Sequence, residues 1–182
     1  FPVDRYFQGG AFQGGVAELA HGRREGIFLI PHPSGRLLVG VFANDLKTTE
    51  WSTPSSLLVL DPDLASEPGV VDLGALAKPC IGAWRLEPLD AAVSQVAVAC
   101  DGSDSLAVLT LPADFTSASI QDAAAGVTGC GVALSSGPWT TQFVAPDGAG
   151  ALIAFQTQLL APPRIWKVNA DCSTGKPSQE AT

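Results

Sequence analysis

Apolar runs of four to six residues recur from residue 27 to residue 168, several of them stopped by proline, glycine or aspartate. The first, Ile27-Phe28-Leu29-Ile30, stops at Pro31-His32-Pro33-Ser34-Gly35, and Leu37-Leu38-Val39-Gly40-Val41-Phe42 follows. That pattern reads as strand, turn, strand. After a polar excursion over 44–54, Leu57-Leu58-Val59-Leu60 ends at Asp61-Pro62-Asp63, and Val70-Val71-Asp72-Leu73 forms a possible fourth strand. A second unit repeats the order. Its strands are residues 81–86, Val96-Ala97-Val98-Ala99, Leu106-Ala107-Val108-Leu109 and a weak fourth, Ser119-Ile120-Gln121. A third unit begins near Val132. It holds Phe143-Val144-Ala145, the Pro146-Asp147-Gly148 turn, Ala151-Leu152-Ile153-Ala154-Phe155, a link at Pro162-Pro163, and Ile165-Trp166-Lys167-Val168. The chain turns polar after Cys172, so no fourth strand is expected there.

These runs predict an all-β domain, or a fragment of one, over residues 1–182, with units at about 27–74, 80–122 and 130–171. No segment keeps a 3.6-residue period over ten or more positions. The nearest, 113–125, is interrupted at Thr116 and Ser117 and has no apolar stripe. Parallel strands need crossover helices, so a parallel sheet is excluded. Residues 1–26 are glycine-rich, with 16–20 as a brief strand or a single helical turn.

Matching strand positions, Leu58, then Ala107 or Val108, then Ile165, fall roughly 50 to 60 residues apart. A repeated four-stranded antiparallel sheet is the mark of a β-propeller blade, which cannot cover its own faces and must stack on a neighbour. Three blades fall short of the usual ring of about four to eight. The expected fold is therefore a propeller-like array with an incomplete ring, completed by another chain, by a second copy or by a further segment. The alternative is a closed antiparallel β-barrel holding a small apolar ligand, which solves closure but leaves the threefold recurrence unexplained.

Composition narrows the partners. Hydrophobic residues make up 46% and charged residues 15%, enough for a packed core. A net charge of −8, with only Arg23-Arg24 as an adjacent basic pair, argues against nucleic acid and acidic membrane surfaces. No apolar run approaches the roughly 20 residues of a membrane span. A chain that starts at Phe1 and lacks Met is expected to be a mature or processed one. The four cysteines, Cys80, Cys100, Cys130 and Cys172, have no C-x-x-C spacing, which favours disulfides over zinc. Cys80 and Cys100 lie symmetrically about the polar bend near Asp90. A hairpin there would oppose their sulfurs and leave Cys130 with Cys172. Four buried thiols are the alternative. Disulfides imply a secreted or extracytoplasmic protein.

Catalytic signals are faint. His21 and His32 are the only histidines, no G-x-S-x-G occurs, and His32, between two prolines, reads as a surface turn residue. Asp101 and Asp104 are weak metal candidates, although a hairpin turn explains Asp101-Gly102-Ser103-Asp104 equally well. Glu87 and Asp90 flank a bend where charge is solvated. Of the tryptophans, Trp84, Trp139 and Trp166, with Arg164, are the candidates for binding a planar or sugar ligand. Trp51 is the fourth tryptophan, and packing between sheets is the competing role for all four.

Three phrases carry a family likeness: residues 30–39, Leu58-Val59-Leu60-Asp61-Pro62, and Arg164-Ile165-Trp166-Lys167-Val168. They resemble secreted six-bladed propellers of the gluconolactonase (SMP-30-like) group over about a third of the chain. The resemblance implies a divalent metal held in a central channel by acidic and asparagine ligands, and metal-dependent lactonase or hydrolase activity. Asn44 and Asn169, the only asparagines, stand outside that motif, so no catalytic residue is carried over. Apart from that metal no cofactor is expected. The role expected from the residues is recognition of a ligand or protein.

Overall fold

A computed structural model describes residues 23–44, 54–63, 66–134, 140–148, 151–158, 161–173 and 179–180. The strands form three four-stranded antiparallel sheets, each an up-and-down meander in chain order. Sheet 1 holds β1 (Arg23–Pro31), β2 (Leu37–Asn44), β3 (Ser56–Leu60) and β4 (Gly69–Asp72). Sheet 2 holds β5 (Ala83–Pro88), β6 (Gln95–Cys100), β7 (Ser105–Thr110) and β8 (Thr128–Ala133). Sheet 3 holds β9 (Thr140–Pro146), β10 (Ala151–Gln158), β11 (Ala161–Asn169) and β12 (Gln179–Glu180). The sheets form an array of propeller-like blades, and among the described residues there is no closed barrel. The matched positions Leu58, Ala107 or Val108, and Ile165 all fall in third strands.

Sheet 2 is the middle layer, and pleating explains how it serves both neighbours. Successive side chains in a strand point to opposite faces. Val96, Val98 and Cys100 of β6, with Ala107 and Leu109 of β7, meet Ile30, Leu38, Leu57 and Val59 of sheet 1 in one core. The alternate residues Ala97, Ala99, Leu106 and Val108 meet Val144, Leu152, Ala154 and Val168 of sheet 3 in another. The two sheets approach closely at Gly40 of β2: a Cβ there would lie 2.4 Å from Leu86 Cδ1 of β5, and that side chain would have to shift.

Four features depart from the sequence reading. Ser119-Ile120-Gln121 is not a strand: α1 spans Ile120–Ala125, capped by Ser119 Oγ, which accepts from Asp122 N. The fourth strand of sheet 2 is β8 instead, so this sheet extends beyond residue 122. Its glycines hide it: a Cβ on Gly131 would lie 2.1 Å from the Lys78 carbonyl, where the segment before β5 crosses the strand. Pro162 and Pro163 belong to β11, not to a link. The register slips between Gln156 and Gln158 opposite them, and β12 pairs only with Arg164 and Ile165, so the missing proline N–H groups break no regular ladder. Finally, sheet 3 does have a fourth strand, the two-residue β12.

Two disulfides are present, Cys80–Cys100 and Cys130–Cys172. Cys80 sits just before β5 and Cys100 ends β6, where its register partner is Ala83. Cys130–Cys172 joins β8 of sheet 2 to the turn after β11 of sheet 3. Among the described residues no helix is long and apolar enough to cross a membrane.

Candidate functional site

The sheet 3 face that meets sheet 2 changes character along its length. At one end Leu152 and Ala154 of β10 are buried among apolar neighbours. Two residues on, the same face carries Gln156, which is 0% exposed. Gln156 Nε2 donates to Thr141 Oγ1 at 3.3 Å, and Trp166 Nε1 donates to Gln156 Oε1 at 2.7 Å. A register shift between Phe155 and Gln156 places Thr141 opposite the glutamine. Arg164 is the register partner of Gln156 on the other side, so pleating sets it on the same face.

The structure thus gathers two of the predicted ligand residues, Trp166 and Arg164, around a glutamine that the sequence reading overlooked. Gln156 follows an apolar run, and only its alternation with Leu152 and Ala154 marks it as inward. A buried amide must be hydrogen-bonded or carry a desolvation penalty. Here that requirement fixes the Trp166 indole by its N–H and leaves a partly exposed ring. Such a ring suits stacking against a flat ligand or a partner side chain. Trp84 lies in β5, but its side chain is outside the described residues, as are Trp51, Trp139, His21 and the glycine-rich segment 1–22.

A second polar cluster lies where the β1–β2 turn meets the loop after β7. His32 is not on the surface: it is buried against Phe115, with ring centroids 4.8 Å apart. Its neighbours made the turn legible, but the loop that covers it lies some 80 residues away along the chain. Ser34 N donates to His32 Nδ1 at 3.1 Å, and Ser34 Oγ lies 2.7 Å from the same atom. A backbone N–H can only donate, so Nδ1 is an acceptor and the neutral ring carries its proton on Nε2. Both contacts span two residues and close the β1–β2 turn. Burial and the Arg36 guanidinium hold the His32 pKa below its ordinary value, against a pull upward from Asp90.

Arg36 joins the two sheets at this point. Its guanidinium donates to the Phe115 carbonyl and, at 2.6 Å, to the Ala118 carbonyl. It stands 5.5 Å from the Phe115 ring centroid, and its Nε lies 3.7 Å from Asp61 Oδ1. The planar guanidinium allows these contacts to form together.

The remaining carboxylates serve turns. Burial would raise the Asp90 pKa, but hydrogen bonds from Ser94 Oγ and from the Ser94, Gln95 and Ala92 N–H groups hold it below the ordinary range. Glu87 lies 3.4 Å from Arg85. Asp101 belongs to a 3-10 turn over Asp101–Ser103, and Asp104 follows it in the left-handed region at φ 49°. Ser103 Oγ accepts from Ile81 N, so the turn braces the start of sheet 2. Among the described residues no group of three or more His, Cys, Asp or Glu stands close enough to hold a metal ion. No known protein-family model matches the chain, and no characterised protein matches it in sequence.

Proposed function

We propose that this chain is a recognition and assembly module of propeller type. It works in an oxidising, extracytoplasmic compartment and is completed by a further sheet from a second copy, another chain or an additional segment. One observation carries this reading. Over Ala151–Phe155, β10 is apolar on both faces: Leu152 and Ala154 face sheet 2, while Ile153 and Phe155 face away from it and are partly exposed. Ile165, the register partner of Phe155, extends that outer face. An antiparallel sheet with one solvated face alternates apolar and polar residues, whereas a strand buried on both faces is apolar throughout. β10 follows the second pattern, like β6 and β7 of the covered middle sheet. Two disulfides support the compartment. Trp166 and Arg164, at the polar end of the face between sheets 2 and 3, are the residues we assign to a small ligand.

Sedimentation and light scattering of the 182-residue chain test this. The expected result is association above the 18.7 kDa monomer at micromolar concentration. Phe155→Lys should abolish that association without loss of folded structure. A chain that stays monomeric and binds no hydrophobic dye overturns the reading.

A further inference from the structure

The two disulfides differ in what they hold and in how a thiol in solution reaches them. Cys80 and Cys100 are each 0% exposed, and both help build sheet 2 and its core against sheet 1. Cys130 and Cys172 are both partly exposed, and their bond spans from sheet 2 to sheet 3. Cys130 lies on β8, the edge strand of sheet 2. Cys172 lies in a tight turn where its N–H donates to the Asn169 carbonyl at 2.9 Å. The apolar contact beside this bond is built partly from Ala97, Ala99 and Ala154, small side chains that bury little area.

We propose that Cys130–Cys172 is a reducible latch that keeps the third sheet docked on the second, and that a dithiol reductant opens it. A thiolate of the dithiol attacks one sulfur of the pair, and the other leaves as a thiolate. The second thiol of the reductant then resolves the mixed disulfide. Two electrons pass to the protein, the reductant closes to its own disulfide, and its two protons end on Cys130 and Cys172. Opening frees sheet 3 from sheet 2 while sheets 1 and 2 stay joined. This inference is independent of the assembly reading above, because it concerns contacts inside one chain.

The native protein is incubated with dithiothreitol at neutral pH, trapped with iodoacetamide and mapped by mass spectrometry, with amide hydrogen exchange followed in parallel. Cys130 and Cys172 are expected to be labelled while Cys80 and Cys100 remain bonded. Exchange over β10 and β11 should rise about tenfold or more with β7 unchanged, and oxidised glutathione should reverse both effects. Loss of both disulfides together overturns the proposal, as does selective reduction with unaltered exchange. The Cys130→Ser/Cys172→Ser double variant should show the open pattern without reductant, and a closed pattern there also overturns it. The wild-type experiment decides the question whether or not that variant folds.

Discussion

Sheet 2 is gripped differently on its two faces. Toward sheet 1 it presents Val96, Val98 and Leu109, which meet Leu38, Leu57 and Val59, and Arg36 ties the sheets across the rim through the Phe115 and Ala118 carbonyls. Toward sheet 3, β6 presents only Ala97 and Ala99 and β7 adds Leu106 and Val108; beside this contact lie the Thr141–Gln156–Trp166 chain within sheet 3 and a disulfide. The same strand supplies both faces, so the difference lies in alternate residues. One interface is held by apolar volume. The other mixes small and large side chains, has its hydrogen-bonded polar chain inside sheet 3, and is crossed by a covalent link. On the latch proposal, the second interface is the one whose hold can be undone by reduction.

The comparison is most easily broken by truncating one large side chain on each face. Leu38 is 0% exposed in the first core, and Leu38→Ala should destabilise by about 2–5 kcal/mol. Val144 is 1% exposed in the second, and Val144→Ala should lose about 1–2 kcal/mol, near the transfer term for two methyl groups. Urea unfolding measures both. Equal losses would mean that the two faces are packed alike and that the contrast drawn from β6 does not reach energetics.

Polar bonding within sheet 3, on the face that meets sheet 2, is the next test. Gln156→Leu removes the acceptor of the Trp166 N–H and the donor to Thr141 while keeping volume in the site. Leaving a buried polar partner unmatched costs about 1–3 kcal/mol, so the loss should fall in that range. Thr141→Val should cost less, because it removes only the 3.3 Å contact. A neutral Gln156→Leu would show that the chain of hydrogen bonds is incidental and that apolar packing and the disulfide suffice.

How much of this was legible beforehand follows from where the constraint lies. Strands such as Leu57–Leu60 and Val96–Ala99 announce themselves because burial on both faces demands continuous apolar residues. Cys80–Cys100 was legible from symmetry about the bend at Asp90, and Cys130–Cys172 followed as the pair left over. β8 was not, because it reads Thr-Gly-Cys-Gly-Val-Ala: the space beside Gly131 is taken by the Lys78 backbone some 50 residues earlier, a tertiary demand that no local pattern records. α1 was missed for a similar reason. At six residues it is too short to show a stripe, and its position depends on contact with Gly69 of β4, where a Cβ would lie 2.4 Å from the Ile120 carbonyl. In the candidate site, Trp166 and Arg164 stood out by residue type. Gln156, which holds the indole, did not, because a glutamine at the end of an apolar run looks like the point where burial stops.

The smallest expected effect is a pH dependence confined to the first interface. His32 is buried on Phe115, with Arg36 and Asp61 beside it in the same cluster and Asp90 facing it from sheet 2. Its pKa is held below the ordinary 6.5, chiefly by burial and then by Arg36, with Asp90 opposing. A histidine with that shift binds its proton more readily in the unfolded chain than in the folded one, so falling pH draws the equilibrium toward unfolding. The His32 contribution is therefore complete above the unfolded value of 6.5 and is lost as pH falls from there through the lower folded pKa. Protonation also sets a proton on Nδ1, the atom that accepts from Ser34 N. Urea midpoints for the wild type should be level between about pH 7 and 8 and fall toward pH 5, whereas His32→Gln should flatten the part of that slope that belongs to the imidazole. Because Arg36 and the Phe115 loop lie in this cluster, the fall should appear in exchange at the β1–β2 turn before it appears in β10. An equal response in β10 would place the titration in the second interface and reverse the assignment of which face of sheet 2 senses acid.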